Sequence, residues 1–141
     1  MRRTLSGGYV LDDDPGRIDR DRVFDYLTHQ SYWAKGRARS IIEASLDGSS
    51  RVIGLFHDGV QVGFARVISD DATQAYLADV YVLEAHRGRG LGKELVAEAV
   101  EHGPHADLKW LLHTEDAHEL YQQYGFEPPS DRIMQRPKRS S

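Results

Sequence analysis

The chain has no cysteine among its 141 residues. That excludes disulfides, thiolate catalysis and cysteine-ligated zinc together. Long apolar runs are missing too: no stretch approaches the roughly 20 residues that span a bilayer, so no membrane role is expected. The opening residues MRRTLSGGYVLDDDPG carry two arginines with no continuous apolar segment behind them. They do not read as a secretory signal, and a cytoplasmic location is expected. Positive charge is in deficit, since 18 basic against 22 acidic residues leave a formal charge of −4. Nonspecific nucleic-acid binding rests on a basic surface, so no nucleic-acid partner is expected. His118-Glu119-Leu120-Tyr121-Gln122 falls one histidine short of a zinc-protease motif. No Gly-x-Ser-x-Gly elbow occurs. The histidines show no paired spacing with carboxylates, and no metal is expected.

What remains suits one domain with one core, residues 1–141, ending in a short loose tail, RPKRSS. Hydrophobic residues make up 40% and charged residues 28%. Gly8–Leu11 reads as a first strand. Arg17–His29 reads as a helix with Ile18, Val23, Phe24 and Leu27 on one face. Ser31–Leu46 reads as a second helix burying Trp33, Ile41, Ile42 and Leu46. Arg51–His57 and Val60–Ile68 alternate around Asp58-Gly59, the pattern of a tight hairpin. After a turn at Asp70-Asp71, Gln74–Leu83 is the most strand-like segment of all. Leu91–His102 is an amphipathic helix with Leu91, Leu95, Val96 and Ala99 inward and Lys93, Glu94, Glu98 and Glu101 outward. Gly103-Pro104 stops it. Lys109–His113 is a short strand, Glu115–Tyr124 a helix ended by Gly125, and Arg132–Gln135 an edge strand. The order β-α-α-β-β-β-α-β-α-β predicts an α/β domain with a mixed sheet. Its open edge allows homodimerisation.

The densest glycine and positive charge sit together in His86-Arg87-Gly88-Arg89-Gly90-Leu91-Gly92-Lys93, between the central strand and a helix. A helix N-terminus offers unpaired N–H groups and the positive end of the macrodipole. Glycines let several of those groups converge on one anion. This is the physics of a pyrophosphate cradle. A Walker loop fails, because Glu94 stands where its hydroxyl residue belongs and Arg87 where its first glycine belongs. A dinucleotide fingerprint fails, because the glycines run Gly-x-Gly-x-Gly. The pattern Arg/Gln-x-x-Gly-x-Gly/Ala is met by Arg87, Gly90 and Gly92. Downstream, Ala117, Leu120, Tyr121, Gly125 and Phe126 fit Asn-x-x-Ala-x-x-Leu-Tyr-x-x-x-Gly-Phe, with Thr114 at the asparagine position. With both blocks in this order, the chain resembles the GNAT superfamily of N-acetyltransferases, most clearly over Val52–Phe126.

The resemblance implies a GNAT-type mixed, mainly antiparallel sheet flanked by helices. It also implies acetyl transfer from acetyl-CoA to a primary amine, a small molecule or a peptide, by direct attack. Arg87, Gly88, Arg89, Gly90, Leu91, Gly92 and Lys93 would hold the pyrophosphate. Val80 would offer its backbone N–H to the thioester carbonyl, and Val82 would pair with pantetheine. Tyr121 would be the general acid. Some relatives place a basic glutamate where this chain has Tyr76. Asp79 is the nearest carboxylate and the leading choice of base, although strict alternation sends it to the face opposite Val80 and Val82 unless a bulge intervenes. Glu84, His113 and Glu115 are further candidates. Tyr32, Trp33 and Arg37 are candidate acceptor-binding residues, and Asp70 and Asp71 could attract a cationic amine. The alternative reading is a noncatalytic acyl-CoA-binding or regulatory module on the same fold.

Overall fold

The segments richest in β-branched and aromatic residues become the centre of a six-stranded sheet. The computed structural model describes residues 1–139, so the last two residues of the expected loose tail lie outside the described residues. The strands are β1 (Arg2–Thr4), β2 (Tyr9–Asp12), β3 (Arg51–His57), β4 (Val60–Ser69), β5 (Gln74–Val82) and β6 (Lys109–Leu111). They lie side by side in chain order, antiparallel except for β5 and β6. The helices are α1 (Arg20–Asp25), α2 (Arg39–Asp47), α3 (Leu91–Val100) and α4 (His118–Gln122). No helix among the described residues is long and apolar enough to cross a membrane.

Each face of the sheet buries its own core. On one side Leu91, Leu95, Val96 and Ala99 of α3 pack on Leu11, Ile53, Leu55 and Val67. On the other, Val23, Leu27, Ile42 and Leu46 pack on Val52, Phe64 and Tyr81. The expected hairpin is present, with Asp58 and Gly59 both at positive φ.

Several expectations are corrected. An additional strand, β1, precedes the expected first one and pairs Arg3 with Leu11. The Arg17–His29 helix is split: Asp19 caps α1 by accepting from the Arg22 amide, and Tyr26–Gln30 then widens into a π turn closed by Ser31 N–H on the Tyr26 carbonyl at 2.9 Å. The expected second helix begins only at Arg39. Gly36 adopts φ +79°, a left-handed conformation that an α-helix cannot pass through. Trp33 therefore lies on a loop, and Ile41 is exposed rather than inward. Glu98 is the converse case, expected outside and found 2% exposed. Arg132–Gln135 forms no strand, since β6 pairs only with β5.

One irregularity positions everything that follows. Between Phe64↔Tyr81 and Arg66↔Ala78, β4 advances two residues and β5 three. The surplus residue is Asp79, at φ +54°. Before it, Ala75 and Leu77 face the α3 core; after it, Val80 and Val82 do. The bulge thus leaves Ala78 and Asp79 both beside a cleft on the α1–α2 side.

Candidate active site

The parallel pairing of β5 with β6 runs only from Gln74↔Lys109 to Tyr76↔Leu111. Beyond it the two strands part. Leu83 donates its N–H to Val62 on β4 at 2.8 Å, so alternation turns the amide and carbonyl of Val82 away from β4, into the split. A cleft of about 630 Å³ lies at this opening, and Val80, Asp79 and Tyr121 line it.

At the end of β5 stands the glycine-rich corner. Gly88 and Gly90 take φ of +80° and +76°, and Gly90 caps α3 without a side chain. Among the described residues the N–H groups of Arg89 to Lys93 have no hydrogen-bond partner, the first helical bond being Glu94 N–H to the Gly90 carbonyl. A Cβ added at Gly88, Gly90 or Gly92 would meet no atom within 4 Å. The corner is therefore an open bowl of unspent donors at a helix N-terminus, which fits a diphosphate. Arg87 does not reach over this bowl. Its Nε donates to the Val82 carbonyl at 2.9 Å and its Nη2 to the Tyr26 hydroxyl at 3.0 Å, while Tyr26 stacks on Tyr81. Arg89 faces a smaller hollow beside Tyr9 and Glu94.

Tyr121 rides on α4, which is narrower than the expected Glu115–Tyr124. Tyr124 Oη donates to the Lys93 carbonyl at 3.1 Å, tying α4 to the first turn of α3. Thr114 Oγ1 accepts from the Ala117 amide at the helix start. Burial, with the nearby Tyr32 and Asp116, pushes the Tyr121 phenol up to about 12.

The loop Ser31–Ala38 forms the opposite wall. Tyr32, Trp33 and Arg37, expected together, all line the cleft. The Tyr32 hydroxyl accepts from the Glu115 amide at 3.2 Å and contacts Asp116, bridging the walls. Asp79 is buried and fully engaged: it accepts from Trp33 Nε1 at 2.7 Å, Arg66 Nε at 2.7 Å and Arg37 Nη1 at 3.3 Å. Its two oxygens are taken up by these three donors. Glu84 lies in the turn after β5. Asp70 and Asp71 are away from the cleft: Asp70 closes its own turn onto Thr73, and Asp71 pairs with buried His105 at 2.6 Å.

Two features were not read from the sequence. Arg66 joins Asp79, and its signal was a lone cation in the apolar strand VQVGFARVI. Tyr76 Oη hydrogen-bonds His113 Nδ1 at the cleft edge. Burial raises the Tyr76 phenol, and the charge of Asp79 adds to the rise. No group of metal-ligating side chains occurs among the described residues.

Comparison with known proteins agrees with this geometry. The family model described as acetyltransferase (GNAT) family matches residues 20–126. A Gibberella zeae protein named as an acetyltransferase is 28% identical over 133 residues, covering 79% of this chain and 75% of that protein. The crystal structure of a GNAT-family protein from Xanthomonas campestris pv. campestris is 40% identical, with a TM-score of 0.87 over 92% of this chain and 93% of that one. AAC(6')-Iy, solved with the bisubstrate analog CoA-S-monomethyl-acetylneamine, shares the fold at 18% identity and a TM-score of 0.67, covering 94% of this chain and 99% of that one.

Proposed function

Since this chain belongs to the acetyltransferase (GNAT) family, we propose that it moves an acetyl group from acetyl-CoA to a primary amine by direct attack. The observation that carries this reading is the continuity of one edge. The unspent amides of Arg89 to Lys93 lead directly to the open side of β5, and from there to a cleft containing a protonated phenol. When bound, acetyl-CoA supplies an acyl group activated as a thioester.

The amides of residues 89–93 bind the diphosphate. The glycines leave room for phosphate oxygens, and the start of α3 adds its dipole. Arg87 sits between bowl and strand edge, where it can exchange its bond to Val82 for one to the ligand. The main-chain N–H of Val80 orients the acyl carbonyl. A backbone donor at such a position is worth about 3 kcal/mol in rate. Tyr121 Oη holds a proton for the departing sulfur. His113, its Nδ1 held by the Tyr76 hydroxyl, accepts the amine's proton at Nε2 directly or through water, imidazole being the side chain suited to that exchange near neutral pH. Asp79 is a positioning residue that fixes Trp33, Arg37 and Arg66 through its three accepted bonds.

Calorimetry with acetyl-CoA and thiol release over an amine panel test this together. Tyr121→Phe should bind acetyl-CoA like wild type yet lose roughly 100-fold or more in kcat, the usual scale of a lost acid. His113→Gln should also bind normally and should lose the acidic limb of the pH–rate profile, while Asp79→Asn keeps that limb. Wild-type turnover in Tyr121→Phe would remove the phenol from the reaction. Tight binding with no thiol released by any amine would favour a regulatory module.

A further inference from the structure

The floor of the cleft carries more positive charge than its own stability requires. Asp79, with a side chain 3% exposed, faces two guanidinium groups, Arg66 at 2.7 Å and Arg37 at 3.3 Å. One arginine would neutralise it. The second leaves the trio at a net charge of +1, in a place where an unmatched charge is costly. The donors are also unevenly used. Arg66 Nε is spent on Asp79 and its Nη1 reaches Ser49 Oγ at 3.4 Å. Arg37 spends only Nη1. Among the described residues, Arg37 Nε and Nη2 and Arg66 Nη2 have no protein partner, and none of them is sealed from solvent. Both arginines line the cleft, with Trp33 and Tyr76 as flat neighbours.

The opposite lip has the reverse sign. Glu115 and Asp116 are exposed on the loop before α4, beside His113, and among the described residues Asp116 is held only by a long contact from the Tyr32 hydroxyl at 3.4 Å. The cleft is thus bipolar, cationic on its floor and anionic on its lip. An amine entering as ammonium is drawn to the lip. The floor can take a group with two or three acceptor oxygens, for which a planar guanidinium fork is the matched receiver.

From this arrangement we infer that the acceptor is an amine that also carries an anionic group, a carboxylate or a phosphate. Arg37, backed by Arg66, receives that group and so presents the amine to His113. This rests on the acetyl-transfer reading. Asp79, itself held by Trp33, fixes the angle of the Arg37 guanidinium, which accounts for an acid being buried beneath a binding cation.

The test uses matched pairs on protein saturated with coenzyme A, so that the loop of residues 89–93 is already filled. β-Alanine is compared with β-alaninamide, and 2-aminoethyl phosphate with 2-aminoethanol, by calorimetry and by thiol release with acetyl-CoA. At least one acid should bind at least about tenfold more tightly than its neutral partner, the scale of a charge-assisted bond. A gain in the carboxylate pair alone, or in the phosphate pair alone, identifies which anion is received. Arg37→Met should erase the difference through KM with kcat nearly kept, and Arg37→Lys should restore part of it. Melting curves establish that both variants fold. Equal binding within both pairs, or an undiminished preference in Arg37→Met, overturns the inference. Calorimetry with acetyl-CoA alone is separate: its failure sinks the acetyl-transfer reading, whereas its success beside unpreferred acids sinks only the anionic acceptor.

Discussion

At Tyr121 burial outweighs hydrogen bonding, because the phenol packs edge-on to Phe126 and is held up to about 12. The folded value lies above the unfolded one of about 10. The fold therefore favours the neutral phenol. Its contribution to stability is complete below pH 10 and is lost as the pH climbs from 10 toward 12. Tyr81, buried between Tyr26 and Phe64, is raised for the same reason, so Tyr121 accounts for part of the alkaline loss. Wild type should melt at a falling temperature across pH 10–12, and Tyr121→Phe should fall less steeply. Parallel slopes would place the phenol in a wetter site than its packing indicates. The same shift keeps the proton on Tyr121 throughout the working range of an enzyme near neutrality.

Among the elements, α3 carries two unrelated duties. Its first turn opens toward the ligand, and its inner face buries Glu98. Arg51 Nη2 meets Glu98 Oε2 at 2.8 Å and Nη1 reaches the Glu98 carbonyl at 3.0 Å. Arg3 Nε adds a bond to Glu98 at 3.1 Å, and Asp13 joins Arg51 at 3.1 Å. This network fastens β1 and β3 to the helix. Removing one member of a buried pair costs about 3–5 kcal/mol, whereas an apolar replacement of both is often neutral. Arg51→Met should lower the urea-unfolding free energy on that scale, and Arg51→Met with Glu98→Leu should recover most of it. No recovery in the double variant would mean that the charges themselves are required. The helix was legible from Leu91, Leu95, Val96 and Ala99, and Glu98 lies seven residues after Leu91 on the same inward row. Only its charge argued for solvent, and the cation that answers it is 47 residues away. The hairpin and the two sequence blocks were legible because turn chemistry and loop spacing are local. The loop carrying Trp33 was not, since its path depends on contact with Asp79. Nor was β1, whose three residues, Arg2–Thr4, become a strand only by pairing with β2 and anchoring to α3.

Over the whole molecule, strand order repeats chain order, and the one parallel step is the crossover through α3 to β6. The antiparallel part is held by neighbours close in sequence and covered on both faces. β6 and α4 are short, with Lys109–Leu111 paired on one side only and α4 containing no fully buried residue. Hydrogen exchange should therefore show β3, β4 and β5 opening only with global unfolding, and β6 and α4 opening locally and earlier. Uniform protection across both parts would contradict this division. The cleft lies on the boundary between them, where one wall is firm and the other can yield. Its shape hangs on the one surplus residue in β5. Were Asp79 deleted, plain alternation would run on with Val80 and Val82 still toward α3 and Tyr81 still away from it, but the carboxylate that gathers Trp33, Arg37 and Arg66 would be gone. A residue lost elsewhere in β5, with the bulge kept, would instead turn one end of the strand over and set the wrong amides before the ligand.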